Sequence, residues 1–413
     1  MIYRGSHAPP GKRSVNVTEA DRFGALARVL AERPGPPTPP IQFARCDLTE
    51  ADQPESADEF SKAVQARADR FIAEFAEQLR RRPDAADHAL GAYLKVDQAR
   101  FDALTAFTAT RPQCSENPEC WTEASRAADL AVRPQVDEVA RATYSTDRAD
   151  IYALGMVACN SAQGRSTVGP CAQLSAAQWA RLDPNNAIPW LFAAGEAANR
   201  GELMARDEAL FRASQASFSN AYSPAFASLL QRKELQAQPL EVQAAFAVSI
   251  FGAEGATSIL SYQSVMQFCS QAAVADPNRR QTCSDLASVM SDRADGELSL
   301  MLGIRIGERV GWPASRLDVL RTRKDAYVQF VTERIASVEV NDCESLRKTH
   351  SWVTDTVQYG DLGAFKRDVA NGDVNEAELA ERYRAERNRA EAQRTASAPE
   401  VRATPEAEAK SKP

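Results

Sequence analysis

"SADEFSKAVQARADRFIAEFAEQLRRRP" (residues 56–83) runs straight into "DAADHALGAYLKVDQARFDALTAFTATRP" (residues 84–112), and the period of their apolar residues decides the fold class. Phe60, Val64, Phe71, Phe75 and Leu79 recur at spacings of four and seven, which sets them on one stripe of a 3.6-residue helix. Pro83 ends that stripe, because proline brings no N–H to the helical ladder. Leu90, Leu94, Phe101, Leu104 and Phe107 repeat the rhythm, so residues 56–112 are expected to form an antiparallel helical hairpin. Ala and Arg dominate both halves, and sustained strand-like alternation is missing.

The same period continues outward. Helices are expected at about 120–132, 134–144, 147–159, 174–182, 186–200, 203–217, 222–234, 239–253 and 257–274, and again at 280–292, 296–310, 314–336, 341–358 and 376–394. In the stretch from 314, Leu317, Leu320, Tyr327, Val331 and Ile335 keep a three-and-four spacing that fits a core face better than a lipid-binding one. The expected fold is all-α, assembled from antiparallel helical hairpins.

The ends read differently. "RPGPPTPPIQF" (33–43) holds too many prolines for helix or central strand, so residues 1–55 are expected to be an extended arm. That arm carries one short helix opened by Thr18 and Asp21, with Phe23, Leu26 and Leu30 on one face. Beyond residue 395 a single Val accompanies polar and small residues, too little apolar surface to offset ordering entropy, and a disordered tail is expected over 395–413. Between these ends the sequence divides into the hairpin at 56–112, a repeat-like helical domain at 113–371 and a last helix at 372–394.

"NAIPWLFAAGEAANRGELMARDEALFRAS", from Asn186, pairs two short helices. Trp190, Ala194 and Ala197 share a face of the first, and Leu203, Leu210 and Ala213 a face of the second, with small residues allowing close approach. In its Trp and small-residue positions the segment over 186–217 resembles a tetratricopeptide repeat, which implies a tetratricopeptide-like or irregular α-solenoid. Ala193 and Ala194 stand where that family has Leu-Gly and Ala197 where it has Tyr. The whole chain is similar to bacterial α-helical repeat proteins, a likeness that implies no activity. On this reading Trp190, Ala194, Ala197, Leu203 and Leu210 are candidate groove or core residues.

Composition narrows the function. The 413 residues carry a net charge of −7 and a sequence pI near 5.4, which speaks against a large phosphate-neutralising surface and so against nucleic acid as partner. No run approaches the roughly 18 apolar residues a membrane span needs. The first residues also lack the apolar core of a secretory signal, which taken literally points to the cytoplasm.

The cysteines point the other way. Of eight, six form three local pairs that straddle connectors between expected helices: Cys114 with Cys120, Cys159 with Cys171, and Cys269 with Cys283. Their spacings are not the tight steps of a zinc site, and His7, His88 and His350 are the only histidines available to complete one. There is no C-x-x-C for redox work, and Gly164 and Gly169 lack the spacing of a phosphate cradle. Structural disulfides are therefore expected, which places the protein in the periplasm or outside the cell. Eight reduced thiols in a cytoplasmic scaffold stand as the alternative. Cys46 and Cys343 are left over, and whether they pair is open.

No catalytic, cofactor-binding or metal-ligating set is read from the sequence. H-E-x-x-H and G-x-S-x-G are absent, and "NGDVNEAEL" (371–379) departs from a calcium loop at Glu376 and Arg382 and fits better as a turn in which Asn375 and Glu378 cap the last helix. The expected function is non-enzymatic, a scaffold or interaction module for a protein or envelope component, with no cofactor. The alternative is an acid–base enzyme of the envelope with a hidden carboxylate pair.

Overall fold

The computed structural model describes residues 57–397, apart from 112–113, 115–116, 162–163, 166–167, 221–222, 256–261 and 337–342. The expectations for residues 1–56, for the tail beyond 397, and for Cys46 and the side chain of Cys343 lie outside the described residues. The fold is all-α. Its helices are α1 (Ala57–Arg80), α2 (Ala85–Ala109), α3 (Pro118–Ala131), α4 (Arg133–Thr143), α5 (Ala149–Ala158), α6 (Ala176–Leu182), α7 (Ala187–Asn199), α8 (Leu203–Ser214) and α9 (Ser223–Leu230). They continue with α10 (Lys233–Gln236), α11 (Leu240–Gly255), α12 (Tyr262–Phe268), α13 (Pro277–Asp292), α14 (Glu297–Val310), α15 (Ala314–Ala336), α16 (Cys343–Tyr359), α17 (Asp361–Ala370) and α18 (Glu376–Ser397). A two-residue antiparallel ribbon, Asn160–Ser161 against Gly164–Arg165, interrupts them. Among the described residues no helix is long and apolar enough to cross a membrane.

Local chemistry sets many of the boundaries. Asn117 accepts from the N–H groups of Glu119 and Cys120 while Pro118 occupies the first helical position of α3. Ser175, Asn186, Asp276 and Asn375 cap α6, α7, α13 and α18 in the same way. Gly311, at φ 82°, closes α14 in the left-handed region that glycine adopts without a Cβ clash, and Pro313 then prevents the helix from resuming.

The chain forms two compact units. The described part of the smaller is Gln98–Arg133, where Arg100 pairs with Asp129 at 3.3 Å, Arg111 pairs with Glu123 at 3.0 Å and Cys114 is joined to Cys120. The larger takes in the described residues up to Asp97 and those from Pro134 onward.

Within the larger unit, α1 buries Ala68, Ile72, Phe75, Ala76 and Leu79 against α11, and Phe75 meets Phe246 edge-on at 6.0 Å. In α2 the stripe is kept for Leu90 and Leu94 but not carried on, since Phe101, beyond the edge of this unit, is 66% exposed. Gly91 lies so close to α1 that an added Cβ would stand 2.5 Å from the carbonyl oxygen of Ala76. A second core joins α14, α15, α17 and α18 through Leu300, Ile304, Leu317, Leu320, Tyr327, Phe330, Phe365 and Leu379.

Helix α17 was not among the expected helices. Its apolar residues Leu362, Phe365 and Val369 have helical spacing, but Gly360 and Gly363 interrupt a segment of only ten residues. Gly360 is required: at φ 75° it passes so close to Asp295 that a Cβ would sit 2.5 Å from that residue's Cβ.

The loops at successive helix starts are tied through their backbones. The N–H of Ala187 donates to Phe218, that of Ser219 to Arg293, that of Asp295 back to Ser219, and that of Leu362 to Asp295 at 2.8 Å. Buried Asn186 fastens the first of these joints, accepting from the N–H of Asn220 and donating to its carbonyl, both at 3.0 Å. Asp361 fastens the last: its carboxylate accepts from the N–H of Glu297 at 3.1 Å, capping α14, and from the Tyr327 hydroxyl at 3.1 Å.

Candidate functional site: a charged groove on three helices

All three local cysteine pairs stand at disulfide distance, with Cα–Cα separations of 5.0 Å for 114–120 and 5.7 Å for both 159–171 and 269–283. Each crosses a connector next to a helix. Cys269 directly follows α12 and Cys283 lies in α13, and Arg309 of α14 reaches over to donate to the carbonyls of Met266 and Cys269 at 3.0 and 3.1 Å.

Ala194, Ala197 and Leu210 are buried where α7 packs on α8. Trp190 is half-buried, and its ring N–H donates to the Pro184 carbonyl at 3.0 Å, which gives the indole a local structural partner. Leu203 is 57% exposed. It is the first residue of α8, a turn ahead of the buried stretch at Ala209, Leu210 and Ala213, so the contact face of that helix begins later than its apolar spacing implies.

Asn375 accepts from the N–H groups of Ala377 and Glu378, so the stretch from Asn371 is a turn into α18. Among the described residues no group of three or more His, Cys, Asp or Glu side chains is placed to hold a metal ion. His350, on α16, is half-buried, and desolvation pushes its imidazole pKa down.

A concavity lies elsewhere, among residues that sequence reading did not single out. It is a groove of about 780 Å³ walled by α14, α15 and α18. Helix α14 supplies Met301, Ile304, Arg305 and Glu308, and α15 supplies Asp318, Arg321, Thr322 and Asp325, in both cases at i, i+3, i+4 and i+7. Lys324 adds to the α15 wall, while Arg384 and Arg387 come from one turn of α18. Each four-residue stripe runs roughly 10 Å along its helix. Five cationic side chains face three carboxylates in this wall, in a chain whose overall charge is −7.

The carboxylates are engaged by these cations. Glu308 accepts from Arg321 at 2.7 Å and from Arg305 at 2.8 Å, and those bonds, that of Arg321 foremost, hold its pKa below the usual carboxylate range. Asp318 takes a second bond from Arg321 at 3.1 Å. Asp325, only 6% exposed at its side chain, pairs with Lys324 at 2.9 Å and with Arg384 at 2.8 Å. Arg384 also donates to the Thr322 hydroxyl at 2.9 Å.

Two cations stand apart. The side chain of Arg305 is 64% exposed beyond its single tie to Glu308. Arg387 is exposed and has no ion pair among the described residues, its guanidinium lying 5.8 Å from the centre of the Tyr383 ring. In the sequence, Arg and Glu three or four residues apart look like solvated helix faces. Only the meeting of three such faces distinguishes this groove, and that is a tertiary fact. No known family model matches the chain, and neither the curated proteins nor the solved structures contain a match to it.

Proposed function

We propose that this protein is a disulfide-stapled helical scaffold of an oxidising compartment, periplasmic or extracellular, which binds another polypeptide through the groove between α14, α15 and α18. The observation that carries this reading is the construction of the groove. Its lining side chains come from the interiors of three helices held by one apolar core, so it is preformed and rigid. Charged and open to solvent, it differs from the mostly apolar, enclosed sites that take small organic molecules. The three cysteine pairs support the choice of compartment, since structural disulfides persist where the surroundings are oxidising. Packing of α7 on α8 and the Asn186–Asn220 tie, 34 residues apart, support a tetratricopeptide-like reading of that segment.

The test is photo-crosslinking in the source cells, with a photoreactive residue replacing Met301 in the groove or Met204 on α8, an exposed position that lines no part of it. A discrete polypeptide adduct from position 301 and none from 204 is expected. No adduct, or the same adducts from both positions, contradicts the reading.

A further inference from the structure

We infer that the polypeptide segment held by the groove is acidic, and that Arg387 and Arg305 are the side chains that receive its carboxylates; the inference rests on the proposed binding role of the groove. Three observations converge. The wall is cation-rich within an acidic protein, so an anionic segment finds a local reversal of charge there. Within the wall the half-buried cations are already committed: Arg384 and Lys324 to Asp325, and Arg321 to Glu308 and Asp318. The exposed guanidiniums of Arg387 and Arg305 remain, and a planar guanidinium offers a carboxylate two parallel N–H donors.

The donors available also choose between kinds of anion. Phosphate sites are commonly built from backbone N–H groups at a helix start or a glycine-rich turn. Here all the lining positions lie inside helices whose N–H groups are spent on the helical ladder, leaving only side-chain donors spread along neighbouring turns. Such an arrangement meets several carboxylates spaced along a chain better than one compact phosphate. Met301 and Ile304 add an apolar strip to the wall for the aliphatic stems or small residues of the same segment.

Fluorescence anisotropy tests this with the full-length oxidised protein and a labelled helical peptide of about sixteen residues repeating Glu-Ala-Ala-Ala, beside its Gln counterpart. Binding of the Glu peptide is expected, weakening as salt is raised. Arg387→Ala and Arg305→Ala should each reduce its affinity by roughly three- to fivefold, and Arg387→Lys by less. The inference is overturned if the Glu peptide does not bind, if the Gln peptide binds equally well, or if Arg305→Ala/Arg387→Ala leaves affinity unchanged. It is also overturned if inorganic phosphate displaces the peptide more effectively than chloride at matched ionic strength, which would indicate a compact-anion site. Groove adducts from position 301 that persist while the Glu peptide fails would reject the acidic segment and keep the binding role. Loss of both would reject the role itself.

Discussion

Helix α15 shows two different surfaces to the rest of the protein. One carries Leu317, Leu320, Tyr327 and Phe330 into the core shared with α14, α17 and α18. The other carries Asp318, Arg321, Thr322 and Asp325 into the groove. The first surface stabilises the fold, because each buried aliphatic or aromatic side chain contributes on the order of 1.5–3 kcal/mol. Apart from buried Asp325 and its partners, the second contributes little, because exposed ion pairs are weakened by water and salt and are worth only about 0–1 kcal/mol each. Exposed charges that stability does not require are free to be used for recognition.

The sharpest way to break this contrast is to cut the apolar face. Phe365→Ala removes a fully buried ring that touches Tyr327 and Phe330, and should destabilise by about 3–5 kcal/mol in chemical denaturation. A loss below about 1 kcal/mol would show that the shared core is not what holds the groove walls together. Next in size is the staple beside that core. Replacing Cys269 and Cys283 by Ala together should lower stability by roughly 2–3 kcal/mol, while the same change under reducing conditions should have no further effect. Asn186→Ala deletes the cap of α7 and the tie to Asn220 at once, and should cost about 1–2 kcal/mol.

Asp361 sharpens the comparison through pH. Burial raises its folded-state pKa, so over the range between its unfolded and folded values the native state holds the proton more tightly. Stability of the native chain relative to Asp361→Asn is therefore expected to rise as pH is lowered from neutrality toward the ordinary carboxylate range, and to be lost as pH rises through the raised value. Paired urea titrations across that range check the sign, and a difference that grows toward neutral pH would contradict it.

Much of the fold was legible because the side chains that build it act locally. Phe75 and Leu79, or Leu317 and Leu320, announce a helical face by spacing alone. Cysteines bracketing short connectors revealed the three close pairs for the same reason. Helix α17 was hidden because Gly360 and Gly363 are poor helix formers, and only the crossing at Asp295 explains Gly360. The exposed Phe101 escaped because spacing specifies a face but not whether a neighbour covers it. The groove escaped most fully. Arg305, Arg321 and Arg384 are far apart in sequence, and each looks like an ordinary surface residue until three helices bring them to one wall.

The smallest expected effect on stability belongs to one of the two residues on which recognition depends. Arg387→Glu should leave the unfolding free energy within about 0.5 kcal/mol of the parent, since the side chain is exposed and has no ion pair among the described residues. Measuring denaturant stability and acidic-peptide affinity on that single variant tests the central claim most directly. The account predicts unchanged stability with affinity reduced beyond the roughly three- to fivefold of Arg387→Ala; intact binding, or a loss of binding that only follows a loss of stability, would contradict it.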